Sequence, residues 1–268
     1  MIRKQNAKVI FKAQFKETNM PTGTVDLKAV IFDFDGVLVD SEPLHYRAFC
    51  DVLAPLGLAH SYEVYLERYI GFDDRDAVRA IFQDAGRPLS ADLFKHVLRA
   101  KEAAFQRIVS QGVVPFAGAE ELVQELREAG LPLAIASGAK AEEIRLILNT
   151  LNMLHAFSVI VSADDVQAGK PHPETYQRAL KGLYDAHPAL LYEGVAGNGA
   201  LPRGVVVIED TPTGIQAARS AGLFVVAVGH TYPLADLLQA QWAVPRLADL
   251  SLDRLRHVLQ TLERPSAP

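Results

Sequence analysis

Short apolar runs recur along the chain, and most are followed by a segment with helical spacing. The first, Ala29-Val30-Ile31-Phe32, is continuous rather than alternating, the pattern of a strand buried on both faces. Similar runs occupy residues 131–136, 157–161, 205–208 and 223–228. Helical periodicity covers 119–129, 141–151, 174–183 and 213–221, with a last helix at 252–262. Gly130 and Gly222 stand just past two of these segments, where a helix end favours glycine. Strands alternating with helices predict right-handed βαβ units. The expected fold is therefore α/β, a doubly wound parallel sheet with helices on both faces.

A different texture separates the first strand from the second. Ser41 is a good N-cap and Pro43 suits a first turn, and Leu44, Ala48, Cys50 or Leu53, and then Leu56 have the spacing of a helix running to Gly57. Helical patterns continue over 62–70, 74–85 and 91–110, without a strong strand. Residues 42–112 thus read as a helical insertion of about 70 residues, too small to be a robust domain alone. The α/β core is then expected from 28–41 and 113–268. The first 27 residues, basic and without a long apolar stretch, read as a loose extension. The Gly-, Ala- and Pro-rich stretch 185–204 reads as a connecting loop.

Composition narrows the function classes. A net charge of -5 argues against a general nucleic-acid binder but leaves small anionic substrates open. Cys50 is the sole cysteine, so no internal disulfide can form, which fits a reducing, cytoplasmic setting. No apolar run approaches the length of a membrane span.

The chemistry collects where the strands end. Asp33 and Asp35 follow the first apolar run and Gly36 comes next. Strand alternation places both carboxylates on one side, about 7 Å apart. There they would repel unless a cation or proton joined them. Taken alone, Asp33 could be a nucleophile, a metal ligand or a turn residue. Ser137 follows the second strand, Lys170 lies in a Gly-Lys-Pro-His-Pro loop after the third, and Glu209 with Asp210 follows the fourth. In doubly wound sheets the ligand site lies beyond these carboxyl ends.

Embedded in Phe-Asp-Phe-Asp-Gly-Val-Leu-Val-Asp-Ser, the aspartate pair resembles the first motif of the haloacid dehalogenase superfamily. The later segments match that superfamily's order: Ser137 for phosphoryl binding, Lys170 for charge neutralisation, and Glu209-Asp210 as the acidic pair that holds Mg²⁺. The resemblance implies a Mg²⁺-dependent phosphatase of a small phosphorylated metabolite, with Asp33 as nucleophile and Asp35 as general acid and base. Dehalogenases proper resemble this motif without the second aspartate, so Asp35 favours phosphoryl transfer. Asp33, Asp35, Asp210 and Glu209 are the expected metal residues, Asp35 through its backbone carbonyl. Gly138 and nearby backbone N–H groups would join Ser137 on the phosphate.

The insertion is similar to the cap of the subgroup containing β-phosphoglucomutase and phosphoglycolate phosphatase. That similarity implies substrate-facing roles for His45, Lys101 and Lys140. In the loop 70–75, the mutase's phosphate-gripping cation corresponds to Asp74, or to Arg75 if the alignment shifts by one residue. A sugar phosphomutase is the alternative enzyme, and a silent phosphate-binding protein a further one. A monomer or small homo-oligomer is expected, with no nucleic-acid or membrane partner.

Overall fold

In the computed structural model, residues 25–70, 72–188 and 204–262 are described. Most of the predicted extension and of the loop at 185–204, and Gly71, lie outside them. The sheet is six-stranded and parallel: β1 (Ala29–Phe32), β2 (Leu133–Ala136), β3 (Val159–Val161), β4 (Val205–Glu209), β5 (Phe224–Val228) and β6 (Trp242–Val244). Its order, β3-β2-β1-β4-β5-β6, reverses direction between β1 and β4. Ligands of doubly wound folds bind outside the carboxyl ends at such a switch point.

Alternation along these strands divides the core. Val30, Phe32, Val206, Ile208 and Val226 pack on one face with residues of α5 (Ala119–Glu128), α6 (Ala141–Thr150) and α9 (Leu252–Leu262). Ala29, Ile31, Val205, Val207 and Val225 pack on the other, against α7 (Glu174–Ala186) and α8 (Pro212–Ser220). Strands covered on both sides must be apolar at every position, hence the unbroken runs in the sequence.

Residues 42–110 are helical throughout their regular structure: α1 (Glu42–Leu53), α2 (Tyr62–Arg68), α3 (Asp74–Asp84) and α4 (Ala91–Ser110). Phe49, Leu53, Tyr65, Val78, Ile81, Phe82 and Val97 form a separate apolar cluster. Helices α1 and α4 pass from this cluster into the sheet core, where Leu44, Ala48, Ala104, Phe105 and Ile108 are buried. The chain leaves and rejoins the sheet side by side, since Val39 pairs with Pro115 and Phe116 N donates to Leu38 O at 2.9 Å. No helix among the described residues is long and apolar enough to cross a membrane.

The structure differs from the sequence reading in three places. β6 was not expected; three residues carry too little pattern to announce an edge strand. Val25 and Leu27, placed in the loose extension, are buried against the core. β1 stops at Phe32, so strand alternation does not govern Asp33 and Asp35. Phe34 O accepts from the N–H groups of Leu38 and Val39 at 2.9 and 3.3 Å, and Gly36 takes φ +79°, turning the chain after the strand.

Candidate active site

Register brings the first two motif segments together. Phe32 lies opposite Ile208, and Asp33 N donates to Ile208 O at 2.9 Å, which sets Asp33 beside Glu209 at the end of the sheet. Lys170 reaches both from the loop before α7. Its Nζ donates to Asp33 Oδ1 and to Glu209 Oε1, each at 2.8 Å. Pairing of this kind offsets the large cost of burying the charges.

Glu209 is fully buried. Oε1 also accepts from Tyr176 OH at 3.0 Å, while Oε2 accepts from Asp210 N at 2.7 Å, Thr211 N at 2.8 Å and Thr211 Oγ1 at 3.1 Å. Close approach at this turn needs Gly214, where a Cβ would fall 1.5 Å from Glu209 Oε1. With both oxygens engaged, Glu209 is equipped to hold Lys170 and the β4 turn in place. The sequence reading identified the acidic pair but not these donors; Tyr176 lies 33 residues away with no local signal.

Asp210 contrasts with its neighbour. It is buried, and Oδ1 has no hydrogen-bond partner among the described residues. Asp33, Glu209 and Asp210 each offer an oxygen lying within 4.8 Å of the others. An all-carboxylate cluster with one orphaned, buried oxygen has the donor chemistry of a hard cation site such as Mg²⁺. The Asp35 side chain stands outside this cluster and accepts from Ser41 Oγ. The chain turns between the two aspartates, so their side chains serve different neighbours, Lys170 for Asp33 and Ser41 for Asp35.

Electrostatics follow the crowding. Burial pushes Asp33 up to about 7, repulsion from Glu209 and Asp35 adds to it, and Lys170 opposes the rise. Asp210 rises to about 8, again first through burial and then through Asp33 and Glu209. Burial also opposes charge on Glu209, but the Lys170 ammonium and its other donors hold that carboxyl below its usual value. Asp35 is raised to about 6 by burial, with Ser41 working against the rise and Glu42 and Glu143 adding to it.

Asp35 opens onto a cavity of about 540 Å³ between the sheet's carboxyl ends and α1–α3. Its lining includes Gly138, Lys140, His45 and Arg75. Ser137, buried at the end of β2, accepts from Ala139 N at 2.9 Å. Lys101 departs from its expected exposure to ligand: it is fully buried, donating to His45 Nδ1 at 2.7 Å and pairing with Asp74 Oδ1 at 2.5 Å. Its ammonium also lies over the rings of Phe49 and Phe105. Since an ammonium can only donate, His45 Nδ1 accepts and the ring proton resides on Nε2. Burial and the Lys101 charge lower the His45 pKa to about 3. Arg75 is exposed, and it forms no ion pair with the described residues.

The chain is similar to known proteins over most of its length. The sequence matches the family of haloacid dehalogenase-like hydrolases over residues 30–228. Protein CbbY of Rhodobacter capsulatus is 33% identical over 233 residues, spanning 84% of this chain and 95% of its own. The phosphorylated carbohydrates phosphatase of Thermotoga maritima is 29% identical over 198 residues, 74% of this chain and 82% of its own. The crystal structure of CbbY from Rhodobacter sphaeroides in complex with phosphate has a TM-score of 0.68 at 25% identity, covering 84% of this chain and 96% of that one. The chain belongs to the haloacid dehalogenase-like hydrolases.

Proposed function

We propose that the chain is a Mg²⁺-dependent phosphatase of a small organophosphate, acting through an aspartyl-phosphate on Asp33. The observation that carries this reading is the joint placement of Asp33, Lys170 and the orphaned Asp210 oxygen at the switch point of the sheet. Asp33 and Asp210, with the Asp35 backbone carbonyl, would hold the ion. When bound, Mg²⁺ supplies the positive charge that lets a carboxylate approach a phosphate dianion.

In the first step an Asp33 oxygen attacks phosphorus in line and the bond to the leaving alcohol breaks. Asp35 protonates that alcohol oxygen, and its raised value of about 6 suits a group exchanging protons near neutrality. Water then attacks the aspartyl-phosphate, Asp35 takes its proton, and Asp33 is released with inorganic phosphate. Splitting one displacement into two lowers each barrier. Lys170 adds fixed positive charge, and Ser137, Gly138 and neighbouring N–H groups receive phosphate oxygens.

In this reading residues 42–112 form a cap closing over a core of 28–41 and 113–268, which excludes water from the reaction. His45, Lys140 and Arg75 belong to its substrate side, and Lys101 stands behind His45 as its positioning partner. A carbohydrate phosphatase among the relatives supports a sugar phosphate as substrate. The enzyme would work in the cytoplasm.

The test is phosphate release from a panel of sugar phosphates and phosphoglycolate with Mg²⁺. Release should stop on chelation and in Asp33→Asn. Interconversion of β-glucose 1-phosphate and glucose 6-phosphate without net release would assign a phosphomutase instead.

A further inference from the structure

The charges around the leaving-group side of the cavity are unevenly distributed. Its wall carries the carboxylates of Asp35, Glu42, Asp73, Asp74, Glu143 and Asp164, against only Lys140 and Arg75 as cations among the described residues. Asp74 takes up the cations that would otherwise meet a ligand. Its Oδ1 pairs with Lys101 at 2.5 Å and its Oδ2 faces Lys140 Nζ at 3.7 Å. Lys101 is sealed behind Asp74 and His45, with none of its side chain exposed. Arg75 remains at the open side, exposed.

The same wall is well furnished for hydroxyl groups. Tyr65 OH donates to Glu42 Oε2 at 2.7 Å, Asp76 N to Asp73 Oδ1 at 2.8 Å, and Ala141 N to Asp164 Oδ2 at 3.0 Å. Each of these carboxylates has its other oxygen to offer to a ligand O–H. His45, which lines the same cavity with its proton on Nε2, adds a donor to these acceptors. A hydroxyl both donates and accepts, so it can use either kind of group. A second phosphate or carboxylate can only accept, and it would face like charge in a partly enclosed cavity.

Resting on the phosphatase reading above, we infer that the alcohol portion of the substrate is an uncharged polyhydroxyl group. Asp74 is the residue that sets this preference, by withdrawing Lys101 and Lys140 from the ligand. Phosphoglycolate and sugar bisphosphates are rejected on charge.

Steady-state kinetics on the wild-type protein with Mg²⁺ test this directly. Sorbitol 6-phosphate and glucose 6-phosphate should exceed phosphoglycolate and fructose 1,6-bisphosphate in kcat/KM by about tenfold or more. Asp74→Asn should narrow that gap, mainly through a lower KM for the esters with a second anion. Equal or reversed preference in the wild type overturns the inference, whether or not Asp74→Asn folds. Calorimetric binding of the same esters to Asp33→Asn with Mg²⁺ separates the two readings. The same order of affinity with no turnover by the wild type would sink the phosphatase reading and uphold the charge selection; a reversed order would sink the selection.

Discussion

The Asp210 carboxylate lies against the bare Cα of Gly36, so close that a Cβ there would come within 1.9 Å of Asp210 Oδ2. Gly36 also has φ +79°, a conformation that costs an L-residue about 1–2 kcal/mol. The turn after β1 is thus built to let the β4 aspartate approach. Gly36→Ala should lower stability by at least that strain and push Asp210 aside. Displacement by about 1 Å at such a site is worth ~10²-fold in kcat. Urea unfolding and phosphate release check the two effects; a variant with wild-type kcat would contradict the packing argument.

Removing the Lys170 ammonium should be costly in a different way. Lys170→Met leaves fully buried Glu209 and its neighbour Asp33 without their shared cation, and breaking a buried pair typically costs about 3–5 kcal/mol. Adding Glu209→Gln should recover part of that loss, because the uncompensated charge disappears. Equilibrium unfolding of the single and double variants measures it. A Lys170→Met protein as stable as wild type would refute the bridging role.

Metal binding should depend on pH. Asp33 and Asp210 titrate near 7 and 8 in the metal-free protein, against an ordinary 3.8. Between 3.8 and those values the folded chain holds protons that the unfolded chain has lost, so metal-free stability should fall as pH rises through this window. Bound Mg²⁺ displaces those protons and should stabilise more at pH 8.5 than at pH 6. Thermal melts with and without chelator at both pH values test the sign. A larger Mg²⁺ effect at pH 6 would be incompatible with it.

His45 should behave as a neutral ring throughout the working range. Burial and Lys101 lower its pKa to about 3 from an ordinary 6.5. Here the sign is opposite: between 6.5 and 3 the unfolded chain binds a proton that the folded chain refuses, so this residue's contribution to stability is lost as pH falls. Ring resonances of His45 in an NMR titration should stay unmoved above about pH 4. A midpoint near 6.5 would mean that Lys101 does not hold Nδ1.

The sequence revealed the sheet and its chemistry because both depend on local pattern. Strands β1, β2, β4 and β5 are continuous apolar runs, and Asp33, Ser137 and Glu209-Asp210 are the polar residues that end three of them. The finer geometry depends on contacts distant in sequence. Lys170 and Asp33 are separated by 137 positions, and Tyr176 meets Glu209 only because α7 packs beneath the sheet. The position of Asp74 beside two lysines follows from the packing of α4 against both α3 and α6, which no spacing rule anticipates. The turn at Gly36 likewise separates two aspartates that strand alternation would have kept together.

The central claim is that phosphate passes through Asp33. Protein mixed with Mg²⁺ and a phosphate monoester, quenched within one turnover and reduced with borohydride, can be mapped by peptide mass spectrometry. The account predicts conversion of the aspartate at position 33 to homoserine, absent when the ester or Mg²⁺ is omitted. Modification at another residue, or rapid phosphate release by Asp33→Asn, would contradict it.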